Sequence, residues 1–181
     1  TKQTLEHDNT LGQHNSLVRV DHDTYLLAYK GTNNWGRMST FTVDADGDPI
    51  TEVTSIEFNS VAGSNTQWIS LVQLNESTYA LAYYGYDSGT DYNGTAITSQ
   101  WGQWIATFKV SPDGTSIIRL GAVQHDYYGS SDPYNSLVKV DENTVALAYR
   151  SANNGPSGGG GYGGWIKTFT INGGTITQAA Q

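Results

Sequence analysis

Cysteine is absent from the 181 residues, which excludes disulfides and thiolate metal sites and leaves packing to hold the fold together. Basic residues are scarce as well: 9 Lys plus Arg stand against 17 Asp plus Glu, a net charge of −8. An acidic chain lacks the cations that neutralise phosphates, so neither nucleic acid nor an anionic membrane surface is an expected partner. Long hydrophobic runs are missing too. The apolar stretches fall far short of the roughly 20 residues that cross a bilayer, so no membrane insertion is expected. The sequence also has no G-x-S-x-G nucleophile elbow and no phosphate-cradling glycine loop with its lysine.

What the chain does contain is one pattern written three times. Copies open at Asn15 (NSLVRVDHDTYLLAY), Ile69 (ISLVQLNESTYALAY) and Asn135 (NSLVKVDENTVALAY), and each reaches a second shared segment, RMSTFTV from Arg37, WIATFKV from Trp104 and WIKTFTI from Trp165. Repetition at this period points to a repeat architecture. Each copy parses into four strands, a to d, from runs of Val, Ile, Thr and aromatic residues bounded by turn residues. In the first copy these are residues 17–20, 25–29, 38–43 and 50–58. The a–b and c–d links are short hairpins rich in Asp, Asn, Ser and Gly. By contrast the b–c links, from Lys30, Tyr84 and Ser151, and the d–a links vary in length and composition. Antiparallel strands put both variable links at one end of each sheet and both hairpins at the other.

Strand b reads YLLAY, YALAY and VALAY, apolar without alternation, as expected of a strand covered on both faces. The expected fold is therefore all-β and propeller-like, with three four-stranded antiparallel blades stacked face to face. A β-trefoil or β-prism, each with three pseudo-equivalent repeats, is the alternative. Residues 1–181 read as a single repeat domain, with repeats near 9–58, 59–125 and 126–181, and 1–8 completing the last strand. Leu5-Glu6-His7-Asp8 aligns with Ile56-Glu57-Phe58-Asn59 and Val123-Gln124-His125-Asp126, so three repeats are cut within strand d. Three blades are too few to close a ring. A homo-oligomer is expected, either a dimer giving six blades or part of a longer array.

The succession T-L-E-H-D, N-S-L-V-x-V-D-x-x-T-Y-x-L-A-Y and G-W-I-x-T-F-x-I resembles the tandem blade repeats of extracellular β-propeller proteins of microbes and their viruses. The resemblance spans essentially the whole chain. It implies a propeller and an extracellular, cell-surface or virion-surface setting, and it brings no catalytic residue with it.

Trp35, Tyr86, Tyr92, Trp101 and Tyr162 stand in the b–c links beside Asn33, Asn34, Asp87, Asp91, Asn153 and Asn154. Flat rings stack on the apolar face of a sugar while amides and carboxylates bond its hydroxyls. His125, Asp126 and Tyr127 of the third d–a link join this expected ligand-binding set; the His-Asp pairs at 7–8 and 125–126 read either as ligand contacts or as loop caps. The competing reading of the rings is that they cap the ends of the sheets. Trp104 and Trp165, at the start of strand c, read as packing residues. Asp44, Asp46 and Asp48 have oxygen spacing suited to calcium, but no distal acidic ligand follows, and a plain acidic hairpin is the preferred reading of the same residues. No other cofactor and no catalytic residue is expected. The function expected is an extracellular recognition module that binds glycans or a surface protein. Its rivals are a structural blade array of a surface, spike or filament protein, and a polysaccharide-cleaving enzyme.

Overall fold

The computed structural model describes residues 3–61, 63–91, 93–127, 134–151 and 163–179. The described residues are all-β, with twelve strands in three four-stranded sheets. The first sheet comprises β1 (Gln13–Arg19), β2 (Thr24–Lys30), β3 (Gly36–Val43) and β4 (Ile50–Asn59) in that spatial order. The middle sheet repeats the order with β5 (Gln67–Gln73), β6 (Thr78–Asp91), β7 (Ala96–Val110) and β8 (Ile117–Asp126). In the third sheet the strands are β9 (Ser136–Lys139), β10 (Thr144–Ser151), β11 (Gly163–Asn172) and β12 (Thr175–Gln178). Strands adjacent in this order are antiparallel, and in the first sheet each observed strand contains or closely matches its expected counterpart.

The sheets stack with the middle one between the others, and their first strands run side by side as β1, β5 and β9. Two apolar layers follow. Leu26, Ala28 and Met38 of the first sheet meet Leu81, Tyr83, Trp104 and Phe108 of the middle one. Ala80, Ala82 and Ile105, on the middle sheet's other face, meet Leu147, Tyr149 and Phe169 of the third. β6 is buried on both faces, as its unbroken apolar sequence implies. Its relative β10 alternates in exposure despite the similar VALAY, because among the described residues nothing covers the third sheet's outer side. The stack does not close into a ring or barrel among the described residues.

Side chains stitch the layers. The Ser16 hydroxyl accepts the Leu71 amide (3.0 Å), and the equivalent Ser70 accepts the Leu137 amide (2.9 Å). At the hairpin end, Thr40 Oγ1 donates to the Gly114 carbonyl (2.6 Å) and Thr107 Oγ1 to the Gly173 carbonyl (3.1 Å). Close backbone approach sets the spacing there: a Cβ on Gly121 of β8 would overlap the carbonyl oxygen of Gly174, between β11 and β12. Gly121→Ala is therefore expected to cost about 1–3 kcal/mol by forcing the two sheets apart. Chemical denaturation measures it, and an unchanged midpoint would show that the layers slide freely.

Candidate functional site

Strand direction places the start of a, the end of b, the start of c and the end of d together, as the pairs Gln13↔Lys30, Lys30↔Gly36 and Gly36↔Asn59 require. Most of the expected ligand residues stand at this end.

Each first strand begins with a ring in an unusual backbone state. His14, Trp68 and Tyr134 occupy equivalent positions, one residue before Asn15, Ile69 and Asn135, and have φ of 54°, 55° and 44°. Left-handed backbone costs a residue with a Cβ about 1–2 kcal/mol, and glycine is the usual occupant. In β1 and β5 the cause is a bulge, since two residues between Gln13 and Ser16, and between Gln67 and Ser70, face one on the neighbouring strand. A bulge re-aims its side chain. The three rings consequently form a row across the stack, His14 to Trp68 at 5.1 Å and Trp68 to Tyr134 at 4.3 Å between centroids. Asn135 Nδ2 donates to the Trp68 carbonyl (3.0 Å), while neither Asn135 Oδ1 nor the Trp68 indole N–H meets a hydrogen-bonding group among the described residues. Tyr134 is 57% exposed.

A second aromatic surface adjoins the row. Residues 84–103, expected as a variable loop, instead prolong β6 and β7 into a ribbon whose tip pairs in parallel with β8. On the ribbon Tyr84 stacks on Trp101 (5.6 Å, 29°) and Tyr86 tilts against it (5.7 Å, 52°). Tyr84 pairs across the strands with Gln67, the neighbour of Trp68, which joins the ribbon to the row. Trp101 is 39% exposed. Burial raises the Tyr84 phenol above its ordinary pKa, so it stays a hydrogen-bond donor at neutral pH.

The remaining candidates divide by environment. Asn33 and Asn34 are exposed in a single 3-10 turn at φ 63° and 64°, with Trp35 at its end; the Asn34 carbonyl accepts the Thr66 amide (3.0 Å) and so ties this link to the next d–a link. Asp87 is buried, takes two bonds from Arg119 (3.2 and 2.9 Å) and accepts the Tyr83 hydroxyl. Asp91 closes the ribbon turn by accepting the amides of Asn93 and Thr95, both at 2.8 Å. His125 and Asp126 are buried at the end of β8, and Tyr127 is exposed. Tyr92, Asn153, Asn154 and Tyr162 lie outside the described residues.

The His-Asp pairs have separable tasks. The rings of His7, Phe58 and His125 each pack edge-on against a strand-b tyrosine: Tyr29 (4.8 Å), Tyr83 (5.3 Å) and Tyr149 (4.8 Å). In the first pair the acid caps its link. Asp8 accepts the amides of Thr10, Leu11 and Thr32, and these bonds, with the Thr10 hydroxyl, outweigh desolvation and hold its pKa at about 2. Asp8→Ala is expected to loosen this loop at a cost of about 1 kcal/mol, the value of a lost Asx cap; denaturation at pH 7 measures it, and no change would show that the bonds to water are equally good.

Trp104 is fully buried and donates its indole N–H to the Gly85 carbonyl (3.2 Å), in keeping with a packing role. Asp44, Asp46 and Asp48 are exposed on the c–d hairpin, and among the described residues no three His, Asp or Glu side chains converge as metal ligands. Sequence reasoning missed the row of His14, Trp68 and Tyr134. A signal was there: all three copies place a ring directly before the shared strand-a segment. No protein-family model matches the chain, and no curated protein matches it.

Proposed function

We propose that the chain is a non-enzymatic, extracellular or surface recognition module whose three sheets are blades of a propeller. On this reading its ligand is a glycan, bound at the end where the d–a and b–c links meet. The single observation that carries the reading is the row His14, Trp68, Tyr134, three rings held at left-handed φ in equivalent places. Unfavourable backbone kept in every copy, with a lone indole N–H and amide oxygen beside it, is what a binding surface accumulates. Sugars present an apolar ring face and a rim of hydroxyls. Stacking on Trp68, Tyr134 and Trp101 suits the first, and Asn33, Asn34 and Gln67 suit the second. Recognition is favoured over turnover because Asp87, the carboxylate that follows Tyr86 on the ribbon, is committed to Arg119 and Tyr83.

A glycan array followed by titration of the strongest hit tests this. Trp68→Gly is expected to weaken binding about tenfold or more, since loss of a stacked ring removes over 1.4 kcal/mol. Glycine suits φ 55°, which offsets part of the packing lost with the half-buried indole, and circular dichroism checks that the variant is folded. Trp101→Ala should weaken the same ligand. Unaltered affinity in both variants, or silence across the array, would sink the glycan reading.

A further inference from the structure

Each sheet has two unlike faces, and the same two recur in every copy. One is large: Leu71, Tyr79, Leu81, Phe108, Val110 and Ile117 of the middle sheet are buried against the first sheet. Leu137, Val145, Leu147, Phe169, Ile171 and Ile176 take the same places in the third sheet, against the middle one. The opposite face is small, with Leu26, Ala28 and Met38 in the first sheet and Ala80, Ala82 and Ile105 in the middle one. Within the chain, then, the large face of each sheet lies on the small face of the sheet before it.

Among the described residues two faces carry no neighbouring sheet, and they are of opposite kinds, although the first sheet's already buries Leu27, Tyr29 and Phe41. The first sheet's large face, Leu17, Tyr25, Leu27, Phe41, Val43 and Ile50, lines an open apolar groove. On the third sheet the small face is bare: Ile166 is 77% exposed and Val138 58%, with Ala148 exposed beside them. We propose that a second copy of this chain covers both, docking head to tail so that one copy's first sheet sits on the other's third sheet, and that two such contacts close a two-copy ring of six sheets. The contact would repeat, a third time, the interface the chain already makes twice.

The polar stitches agree with that register. Ser136 and Thr168, equivalent to Ser16 and Ser70 and to Thr40 and Thr107, are exposed on the third sheet. In the docked pair they face the Leu17 amide and the Gly47 carbonyl of the second copy, as their relatives face Leu71 and Leu137, Gly114 and Gly173. A strand edge completes the match. His7 already packs on Tyr29 in the place Phe58 takes on Tyr83 and His125 on Tyr149, so residues 5–8 lie where the last strand of a preceding sheet belongs. Those residues form no strand, while among the described residues β12 and the Ala179 amide cover β11 from Thr168 to Asn172 and leave its start, residues 163–167, bare on that edge. Following Met38↔Ile56 and Ile105↔Val123, Leu5 of one copy would pair with Ile166 of the other by strand addition. Such a contact joins different patches, so two copies related by a twofold axis make it twice.

Light scattering of the intact chain should give twice the 19.6 kDa of one copy. Leu17→Asp and Ile166→Asp each alter a side chain exposed in the single chain, so both should fold with unchanged circular dichroism and run as single copies. A single-copy mass for the parent, an open-ended series of masses, or assembly lost in only one variant would overturn the proposal. Because the chain has no cysteine, Leu5→Cys mixed with Ile166→Cys should give a disulfide-linked pair of unlike chains under oxidation. Failure to cross-link in a parent-like assembly would overturn the strand register. The inference stands apart from the ligand reading, since either single-copy variant still carries the row around Trp68.

Discussion

Asp87→Ala is expected to destabilise the fold by about 3–5 kcal/mol, the range for breaking a buried pair while leaving its partner in place. Both carboxylate oxygens are engaged: Oδ1 accepts from the Ser88 amide (2.7 Å) and Arg119 Nη1 (3.2 Å), and Oδ2 accepts from Arg119 Nη2 (2.9 Å) and the Tyr83 hydroxyl. Through Nη1 the same guanidinium also donates to the Phe58 carbonyl (2.8 Å), so the pair joins the ribbon, β8 and the end of β4. Tyr83 is fully buried, and burial followed by the Asp87 charge pushes its phenol well above the ordinary range, which keeps it a donor. Removing the acceptor strands a cation and a hydroxyl together. Partial exposure of Arg119 (27% of its side chain) lets water reach one side and sets the expectation at the lower end. Asp87→Leu with Arg119→Met should recover much of the loss, because an apolar pair of similar volume replaces both charges. Urea denaturation of the parent and the two variants measures the difference; a loss below about 1 kcal/mol in Asp87→Ala would show that water substitutes for the carboxylate.

That ion pair also shows where the sequence stops being readable. Asp87 stands among Tyr84, Tyr86 and Asp91, a mixture that reads as a binding loop, and nothing local announces Arg119 in the next hairpin. The pair exists because the β6–β7 ribbon folds back along β8, a contact between segments whose periodicities are independent. Strands were legible because a buried strand needs apolar β-branched and aromatic residues at every copy, and the three copies check one another. Hairpin positions were legible for the same reason, from Asp113-Gly114 and Gly173-Gly174. Stacking order was not. YLLAY and VALAY differ little in composition, yet their environments differ because one sheet has a neighbour on its outer side only through residues 5–8 and the other lacks one among the described residues. The ring row was half visible: its positions align, but only the bulge reveals that His14 and Trp68 are turned toward one another.

Lowering the pH should destabilise the protein through His125, and replacing that residue by Phe should remove this contribution. The ring is buried edge-on between Tyr149 (4.8 Å, 79°) and Phe169 (5.6 Å, 64°), and neither nitrogen meets a hydrogen-bonding group among the described residues. Burial, with the nearby Lys167 ammonium in second place, pulls its pKa from 6.5 to about 3. The folded state therefore keeps the imidazole neutral while the unfolded chain takes up a proton below pH 6.5. Stability is constant in this respect above pH 6.5, falls by about 1.4 kcal/mol for each unit below it, and levels off near the folded pKa of about 3. By pH 4 the expected loss from this one group is about 3 kcal/mol. Phe58 supplies the control, since in the equivalent place it packs on Tyr83 (5.3 Å) and Phe108 (5.8 Å) with no polar atom to satisfy. His125→Phe should thus fit its cavity, equal or exceed the parent in stability at pH 7, and lose stability less steeply between pH 6.5 and 4. Asp126 and Lys167 remain in both proteins, so the difference in slope isolates one proton. Parallel stability profiles for parent and variant would mean that the imidazole is protonated in the folded chain, and that the pocket around Tyr149 admits the charge it is built to exclude.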